Sequence, residues 1–207
     1  MKRFITTIPY QDPEKFGQKG GLVRSVYQAD DNERLVYGET AFPIIPVING
    51  YVENGEEIVI IPIMADYENV RGNYKYFKDE VKNLCDSRSI KYSFDESVMI
   101  PYNNFVETEL DLFGKLIERF DDGDTIYSCI TYGTKPFPII QTMAMNYAYR
   151  IKKNVSIGCV VYGAMDHNTN KSAIYDVTSL FYIDETIRLL AEQKVKDPMP
   201  FIKNLLK

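Results

Sequence analysis

The sequence predicts an α/β fold, in which a Rossmann-like, mainly parallel sheet carries helices on both faces and ends in a C-terminal antiparallel β-hairpin. Strand-like runs alternate with segments of helical spacing, and this alternation is typical of βαβ units. Several of the runs are rich in apolar residues, as in parallel strands that are covered on both faces. Near the end of the chain, two strand-like segments flank the polar turn cluster 166–170, which predicts the hairpin.

The start of the chain contains one clear strand followed by less regular sequence. The segment 2–8 predicts a short buried strand that ends in Thr6 and Thr7. Residues 10–33 are polar and rich in glycine, so we expect a long loop there.

The following segments differ in how clearly they indicate a conformation. Residues 34–40 fit a second strand, whereas the prolines in the apolar segment 42–52 leave its conformation open. The β-branched run 57–64 predicts a strand, and Pro62 is tolerable because it lies near the end of that strand.

Helical spacing then predicts two helices, at 73–86 and at about 105–120, the second with Asn104 as its N-cap. A short strand at 97–100 separates them. The residues expected to form their apolar faces are Tyr76, Phe77, Val81 and Leu84 in the first, and Leu110, Phe113, Leu116 and Ile117 in the second.

The last third of the chain repeats the alternation of strand and helix. The predicted elements are a strand at 125–132, a helix at 136–152, strands at 155–162 and 171–177, and a helix from Thr178 or Ser179 to Gln193. The side chains expected to face inward from the helix at 136–152 are Ile139, Ile140, Met143, Ala144 and Tyr147.

Length and composition indicate one globular domain. The chain has 207 residues with 45% hydrophobic and 26% charged residues, and we expect one domain at 1–195 followed by a short tail at 196–207. No apolar run is long enough to cross a bilayer, and the start lacks the features of a signal peptide. Three scattered cysteines without a CxxC pair fit a reducing compartment, so we expect a cytoplasmic protein without membrane contact.

The charge of the chain restricts its binding partners. A net charge of −5 and a pI of about 5.1 argue against binding long duplex nucleic acid, which needs a broad basic face. A small phosphorylated ligand remains compatible, because salt screens distant charges beyond roughly 8–10 Å. The 16 tyrosines either stack on bases or occupy ordinary half-buried positions.

Several common catalytic and cofactor motifs do not occur. The chain has no GxxxxGK[ST] loop, and no GxGxxG motif follows the first strand. Its single histidine, His167, lies in the predicted hairpin turn, and the cysteines are far apart in sequence. We therefore expect no metal site, no cofactor and no histidine-based nucleophilic mechanism.

The candidate site consists of polar residues at the ends of two strands. Thr131, Gly133, Thr134 and Lys135 follow the strand at 125–132, and the two threonines Thr6 and Thr7 end the first strand. These two strands flank the topological switch point of a doubly wound sheet, so both turns would line one crevice that suits a phosphate.

The turn after the strand at 125–132 also has a purely structural interpretation. Gly-Thr-Lys-Pro is a good helix start, with Pro136 at the first helical position. Pro136 and Pro138 have no N–H, so a phosphate would depend on the amides of residues 133–135, on the amide of Phe137 and on side chains.

Two more residues are candidates for binding a ligand. Arg24 follows the glycine-rich segment and would reach a ligand from above. Thr178 ends the hairpin together with Asp176; alternatively, Thr178 is a helix cap and Asp176 a solvated strand residue.

The Gly-Thr-Lys-Pro turn after the fourth strand of the parallel core and the hairpin that ends in Tyr175-Asp-Val-Thr178 resemble the CARF domain, the CRISPR-associated Rossmann-fold sensor of type III systems. The resemblance covers about residues 2–193. It implies a homodimer that binds a cyclic oligoadenylate across its two-fold axis with the ends of the first and fourth strands. A rotationally symmetric ring matches such an isologous dimer.

The resemblance leaves the activity open. One alternative is a metal-independent ring nuclease, in which a ribose 2′-OH attacks the scissile phosphate, Lys135 neutralises charge and Thr6 or Thr7 orients the attacking group. The other is a pure sensor that acts on a separate effector protein through a rearrangement of the dimer. Outside the resemblance, a rival interpretation is a non-catalytic Rossmann-like module that binds a nucleotide or another small anion and acts through a separate partner. The Arg-x-x-x-x-His motif of the family's RNase effectors does not precede His167, so we expect no effector domain in this chain.

Overall fold

The computed structural model describes residues 1–18, 20–103, 105–166 and 171–205 of the protein. In this part the chain forms nine strands and six α-helices. The strands are β1 (Lys2–Thr7), β2 (Ser25–Gln28), β3 (Glu39–Thr40), β4 (Glu57–Asp66), β5 (Lys91–Phe94), β6 (Met99–Pro101), β7 (Thr125–Cys129), β8 (Ser156–Asp166) and β9 (Lys171–Asp176). The helices are α1 (Ile44–Tyr51), α2 (Glu68–Ser87), α3 (Val106–Ile117), α4 (Pro136–Ile151), α5 (Thr178–Glu192) and α6 (Met199–Leu205).

The strands form one sheet in the order β3-β2-β9-β8-β7-β1-β4-β5, with β6 paired to the far end of β4. The core strands β8, β7, β1, β4, β5 and β6 run parallel to one another. β9 returns antiparallel to β8, and β2 and β3 extend the sheet beyond it. The predicted fold class, including the C-terminal hairpin, is confirmed.

Helices cover both faces of the sheet. On β7, the Tyr127 ring lies 5.3 Å from the ring of Tyr51 in α1, whereas the Ser128 hydroxyl donates to Gln141 of α4. Because successive side chains of a strand point to opposite faces, α1 and α4 lie on opposite sides of the sheet. α1 is apolar and largely buried, as its residues Ile44 and Val47 have no exposed surface.

The predictions for residues 10–52 need three corrections. The predicted loop contains the strand β2, which pairs with β9 at Tyr27 and Gln28. The predicted strand at 34–40 is wrong except for its last two residues: Glu33–Leu35 form a 3-10 turn, and only Glu39–Thr40 pair as a strand, β3. The segment whose conformation the prolines left open is α1, in which Pro46 occupies the first turn, where no helical N–H is needed.

Several boundaries elsewhere also differ from the sequence predictions. α2 begins five residues earlier than predicted, at Glu68 instead of Asn73, and β5 was missed. The strand at 125–132 ends at Cys129, and the predicted tail carries α6. The predicted cap Asn104 and the turn residue His167 lie outside the described residues.

Three side chains predicted to face the core are exposed. Leu110 of α3 and Ile139 and Met143 of α4 keep 65%, 63% and 53% of their surface in contact with solvent. α3 and α4 pack against each other and bury other side chains in their place, among them Leu112 and Met145, whereas Ile140 and Ala144 are buried as predicted. Helical spacing identified amphipathic helices correctly but misplaced part of each apolar face.

Within the described ranges, every helix is too short or too polar to cross a membrane.

Candidate functional site

The carboxyl ends of β1 and β7 lie side by side and border a crevice of about 390 Å³. The residues that line it are Pro9, Tyr10, Gln11, Thr131, Tyr132 and Gly133. The parallel strand that follows β1 in the chain, β4, lies on one side of this pair, and the strand that follows β7, β8, lies on the other. The crevice is therefore at the topological switch point, where open α/β sheets bind ligands.

Six of the eight predicted ligand residues lie at this edge of the sheet. They are Thr6 and Thr7 at the end of β1, and Thr131, Gly133, Thr134 and Lys135 between β7 and α4. Gly133 and Lys135 are exposed, so the corner that they form is open to solvent.

Gly133 has a conformation and a packing that exclude a side chain. Its φ is +103°, in the region that favours glycine. A Cβ at this position would lie 2.7 Å from Cδ2 of Phe137 and 3.0 Å from Cγ2 of Thr7. The turn therefore packs tightly between the first turn of α4 and the end of β1.

The turn also leaves hydrogen-bonding groups free for a ligand. The Thr134 Oγ1 is screened from solvent and has no hydrogen-bond partner in the described part of the protein. In the same part, the backbone amides of residues 133–135 donate to no backbone carbonyl. The amide of Phe137 is not available, because it donates to the carbonyl of Thr134 at 3.0 Å, and this corrects the expectation that it serves a phosphate.

The two threonines of β1 are buried behind the turn. Thr7 has no exposed surface, and its Oγ1 accepts a hydrogen bond of 3.0 Å from Nε2 of Gln141. The Oε1 atom of Gln141 in turn accepts a hydrogen bond of 2.9 Å from the Ser128 hydroxyl. These two hydrogen bonds connect β1, α4 and β7 beneath Gly133. Thr6 is 2% exposed, so both threonines support the crevice from below.

Thr131 and Tyr132 connect the crevice to neighbouring elements. The Thr131 Oγ1 accepts a hydrogen bond of 2.7 Å from the backbone amide of Gly163. This bond holds the end of β7 against β8. The Tyr132 hydroxyl donates to the carbonyl of Ala41 at 2.7 Å. Burial raises the pKa of Tyr132 well above its ordinary value, so this phenol stays protonated as a donor.

Arg24 and Thr178, the other two predicted ligand residues, do not line the crevice. Arg24 forms an ion pair of 2.9 Å with the buried carboxylate of Glu80 in α2. The Thr178 Oγ1 accepts the amide of Val160 at 2.8 Å, and its own amide donates to Asp176 at 3.0 Å. Both side chains therefore have protein partners, and neither lines the crevice.

Sequence reasoning missed a cluster of three tyrosines at the same edge of the sheet. Tyr10 follows β1, Tyr67 follows β4 and Tyr102 follows β6. Tyr67 and Tyr102 stack with their centroids 4.4 Å apart and an interplanar angle of 17°, and Tyr10 meets Tyr102 at 80° and 5.4 Å. The sequence contained a signal for this cluster, because each tyrosine lies one to three residues beyond the end of a strand.

An apolar surface lies beside the turn on α3 and α4. Val106 and Leu110 of α3 and Ile139 and Met143 of α4 are each more than half exposed. We call these four residues the α3/α4 stripe. Tyr147 lies one helical turn beyond Ile139 and Met143 on α4. Its ring contacts that of Phe113 in α3 edge to face, with the ring centroids 6.4 Å apart.

Among the described residues, no group of three or more histidine, cysteine or carboxylate side chains lies close enough to hold a metal ion. The residues that line the crevice include no carboxylate.

Comparison with known proteins gives one informative similarity. No protein-family model matches the chain. CRISPR-associated protein MJ1674 of Methanocaldococcus jannaschii is 31% identical over 105 residues, which are 50% of this chain and 15% of that relative. The chain thus matches only a small part of the relative's length.

Proposed function

We propose that this protein is a CRISPR-associated sensor that binds a cyclic oligoadenylate at the carboxyl ends of β1 and β7. The observation that carries the proposal is the open Gly133–Lys135 turn, where a lysine and free backbone amides adjoin a crevice at the switch point. Charge-assisted hydrogen bonds from such groups suit the phosphates of a nucleotide. The similarity to a CRISPR-associated protein and the CARF-like order of elements point to the cyclic messenger as the nucleotide.

We further propose that the protein acts as a cytoplasmic homodimer. The α3/α4 stripe is the surface on which a second copy would pack, because it is apolar and exposed and includes the helix that begins at the Lys135 turn. In an isologous dimer the same stripe meets itself, so both Lys135 turns come to one side of the interface. A two-fold pair of lysines then faces one ring and offsets several phosphate charges.

Cleavage of the ring would extend the proposed binding to catalysis. The 2′-oxygen of a ribose attacks the adjacent phosphorus, the bond to the 5′-oxygen breaks, and the proton lost by the 2′-OH is balanced by a proton gained by the leaving oxygen. The products are linear and carry a 2′,3′-cyclic phosphate and a 5′-OH. Lys135 would stabilise the charge on the phosphate. Thr7 is buried, so it would contribute by holding Gly133 in place.

A sensor that binds without cleaving is the second candidate, and one observation favours it. The residues that line the crevice carry no carboxylate and no histidine, so no general base stands among them. Such a module would act on a separate effector protein through a rearrangement of the dimer.

Thermal melting with cyclic tetraadenylate and cyclic hexaadenylate tests the binding. A ring present at a hundred times its Kd adds about 2.7 kcal/mol of stability. We expect this shift with one of the two rings, and a strongly reduced shift for Lys135→Ala. Lys171→Ala, which removes an exposed lysine from the start of β9, is the matched control. The absence of a shift with both rings would contradict the proposal.

Chromatography of the same mixtures separates the two candidate activities. A ring nuclease yields linear products that disappear in Lys135→Ala, whereas a pure sensor returns the intact ring after hours of incubation.

A further inference from the structure

The three tyrosines at the edge of the sheet form an open aromatic surface. Tyr102 is 53% exposed, although one face of its ring is stacked on Tyr67 and Tyr10 packs against it. Tyr10 and Tyr67 are half-buried beneath it. What distinguishes Tyr102 from other exposed tyrosines is its place: it contacts Tyr10, which lines the crevice, and more than half of its own surface stays open to solvent.

The cluster and the anion-binding turn lie on one edge of the sheet. The strands end there in the order β7, β1, β4 and β6, with Lys135 beyond β7 and Tyr102 beyond β6. Three inter-strand spacings separate the outer two strands, which is about 14 Å. Tyr10 belongs to both features, because it also lines the crevice.

This order fits a nucleotide laid along the edge. The phosphate needs cationic and amide donors, whereas the base needs an aromatic surface beside them. In a cyclic oligonucleotide the bases radiate outward from the ring of riboses and phosphates. A base-binding surface is therefore expected next to the anion site and not on it.

We propose that Tyr102, held by Tyr67 and Tyr10, is the stacking platform for an adenine base of the ligand. This inference rests on the proposed function. Tyr67 fixes the plane of the Tyr102 ring by parallel stacking, and Tyr10 prevents it from tilting by its nearly perpendicular contact. The base occupies the free face of Tyr102 and extends the stack by one ring.

Binding of the two cyclic oligoadenylates to variants of Tyr102 tests the platform. Tyr102→Ala is expected to weaken binding by at least about fivefold, the lower end for loss of one base stack. Tyr102→Phe is expected to bind within about twofold of the unmodified protein, because stacking does not need the hydroxyl. Tyr175→Ala is the control, since Tyr175 is 48% exposed and lies on β9, five strand spacings away from β6.

The salt dependence of binding separates stacking from disruption of the crevice. Lys135→Ala should reduce the slope of log Kd against log salt, because a phosphate contact is lost, whereas Tyr102→Ala should weaken binding with an unchanged slope. A reduced slope in Tyr102→Ala, or full affinity in that variant while the unmodified protein binds a ring, overturns the platform alone. Unmodified protein that binds neither ring overturns the proposed function and the platform with it.

Discussion

Gly133 is the residue on which the geometry of the turn most depends. Its positive φ places the amides of the turn at the mouth of the crevice, and its missing side chain lets Phe137 and Thr7 approach. The hydrogen bonds of Gln141 hold these partners from below. The loss of Gln141 would leave two buried hydroxyls unsatisfied, at a cost of about 1–3 kcal/mol for each.

We expect Gly133→Ala to lower the free energy of unfolding by about 1–3 kcal/mol and to impair ligand binding, because the new Cβ is both strained and in collision with Phe137. Urea unfolding measures the first effect and calorimetry the second. Gly55→Ala is the matched control, because Gly55 also has a positive φ, of +82°, but a Cβ added there would have no neighbouring atom within 4 Å. Equal losses in the two variants would show that the collision is unimportant.

At the residue scale, sequence reasoning placed Thr6 and Thr7 at the end of a strand but did not give their contacts. Thr6 and Thr7 were predictable as strand-end residues, because hydrophobic patterning locates strand ends. The partner of the Thr7 hydroxyl was not predictable, because Gln141 lies 134 positions away in the chain. The same holds for Arg24, whose partner Glu80 comes from a helix that packs against it only in the folded protein.

Among the elements, β2 and α4 show where periodicity fails. β2 has four residues of mixed polarity, and only its pairing with β9 makes it a strand. α4 has apolar residues around most of its circumference, since Ile140 and Ala144 face the core while Ile139 and Met143 are exposed. A helix with a second apolar surface is expected to have a second partner.

We expect the protein to be a dimer in solution, and the double substitution Ile139→Glu with Met143→Glu to yield a folded monomer. Two charges in the centre of an apolar interface stay unpaired when a second copy docks, which costs several kcal/mol for each subunit. Light scattering gives the mass, and circular dichroism checks the fold. Val36→Glu is the control, because Val36 is 62% exposed and lies outside the α3/α4 stripe. If the doubly substituted protein is still a dimer, the interface lies on a surface other than the α3/α4 stripe.

The whole molecule buries many thiol and phenol groups. All three cysteines are buried and unpaired. Burial raises the pKa of Cys85 from 9.0 to about 11 and that of Cys159 to about 12. Burial likewise raises the pKa of Tyr10 and Tyr27 from 10.0 to about 12. These groups bind protons more tightly in the folded than in the unfolded state.

We therefore expect stability to fall at alkaline pH. The contribution of the buried thiols and phenols to the free energy of unfolding is fully present below pH 9. It is lost as the pH rises through their pKa values in the folded state, near 11 and 12. Urea midpoints measured from pH 7 to pH 11 should be level up to about 9 and then decline. Cysteine-directed reagents should react slowly with the native protein at pH 8, because the thiolate is the reactive form. A midpoint that stays level to pH 11 would contradict this assignment.

At the scale of the whole molecule, the fold class and the position of the switch point were predictable. Both follow from the local alternation of strand and helix between residues 57 and 192, together with general rules for βαβ connections. The extension of the sheet by β2 and β3 was not predictable, because it depends on non-local pairing. The tyrosine cluster likewise required knowledge of which strand ends are neighbours.

The most direct test of the central claim is calorimetric titration of the unmodified protein with cyclic tetraadenylate and cyclic hexaadenylate. The proposed site predicts saturable binding of one of these rings with a stoichiometry of one ring for two chains. Binding of one ring by each chain, or no heat of binding with both rings at concentrations far above those of the protein, would contradict it.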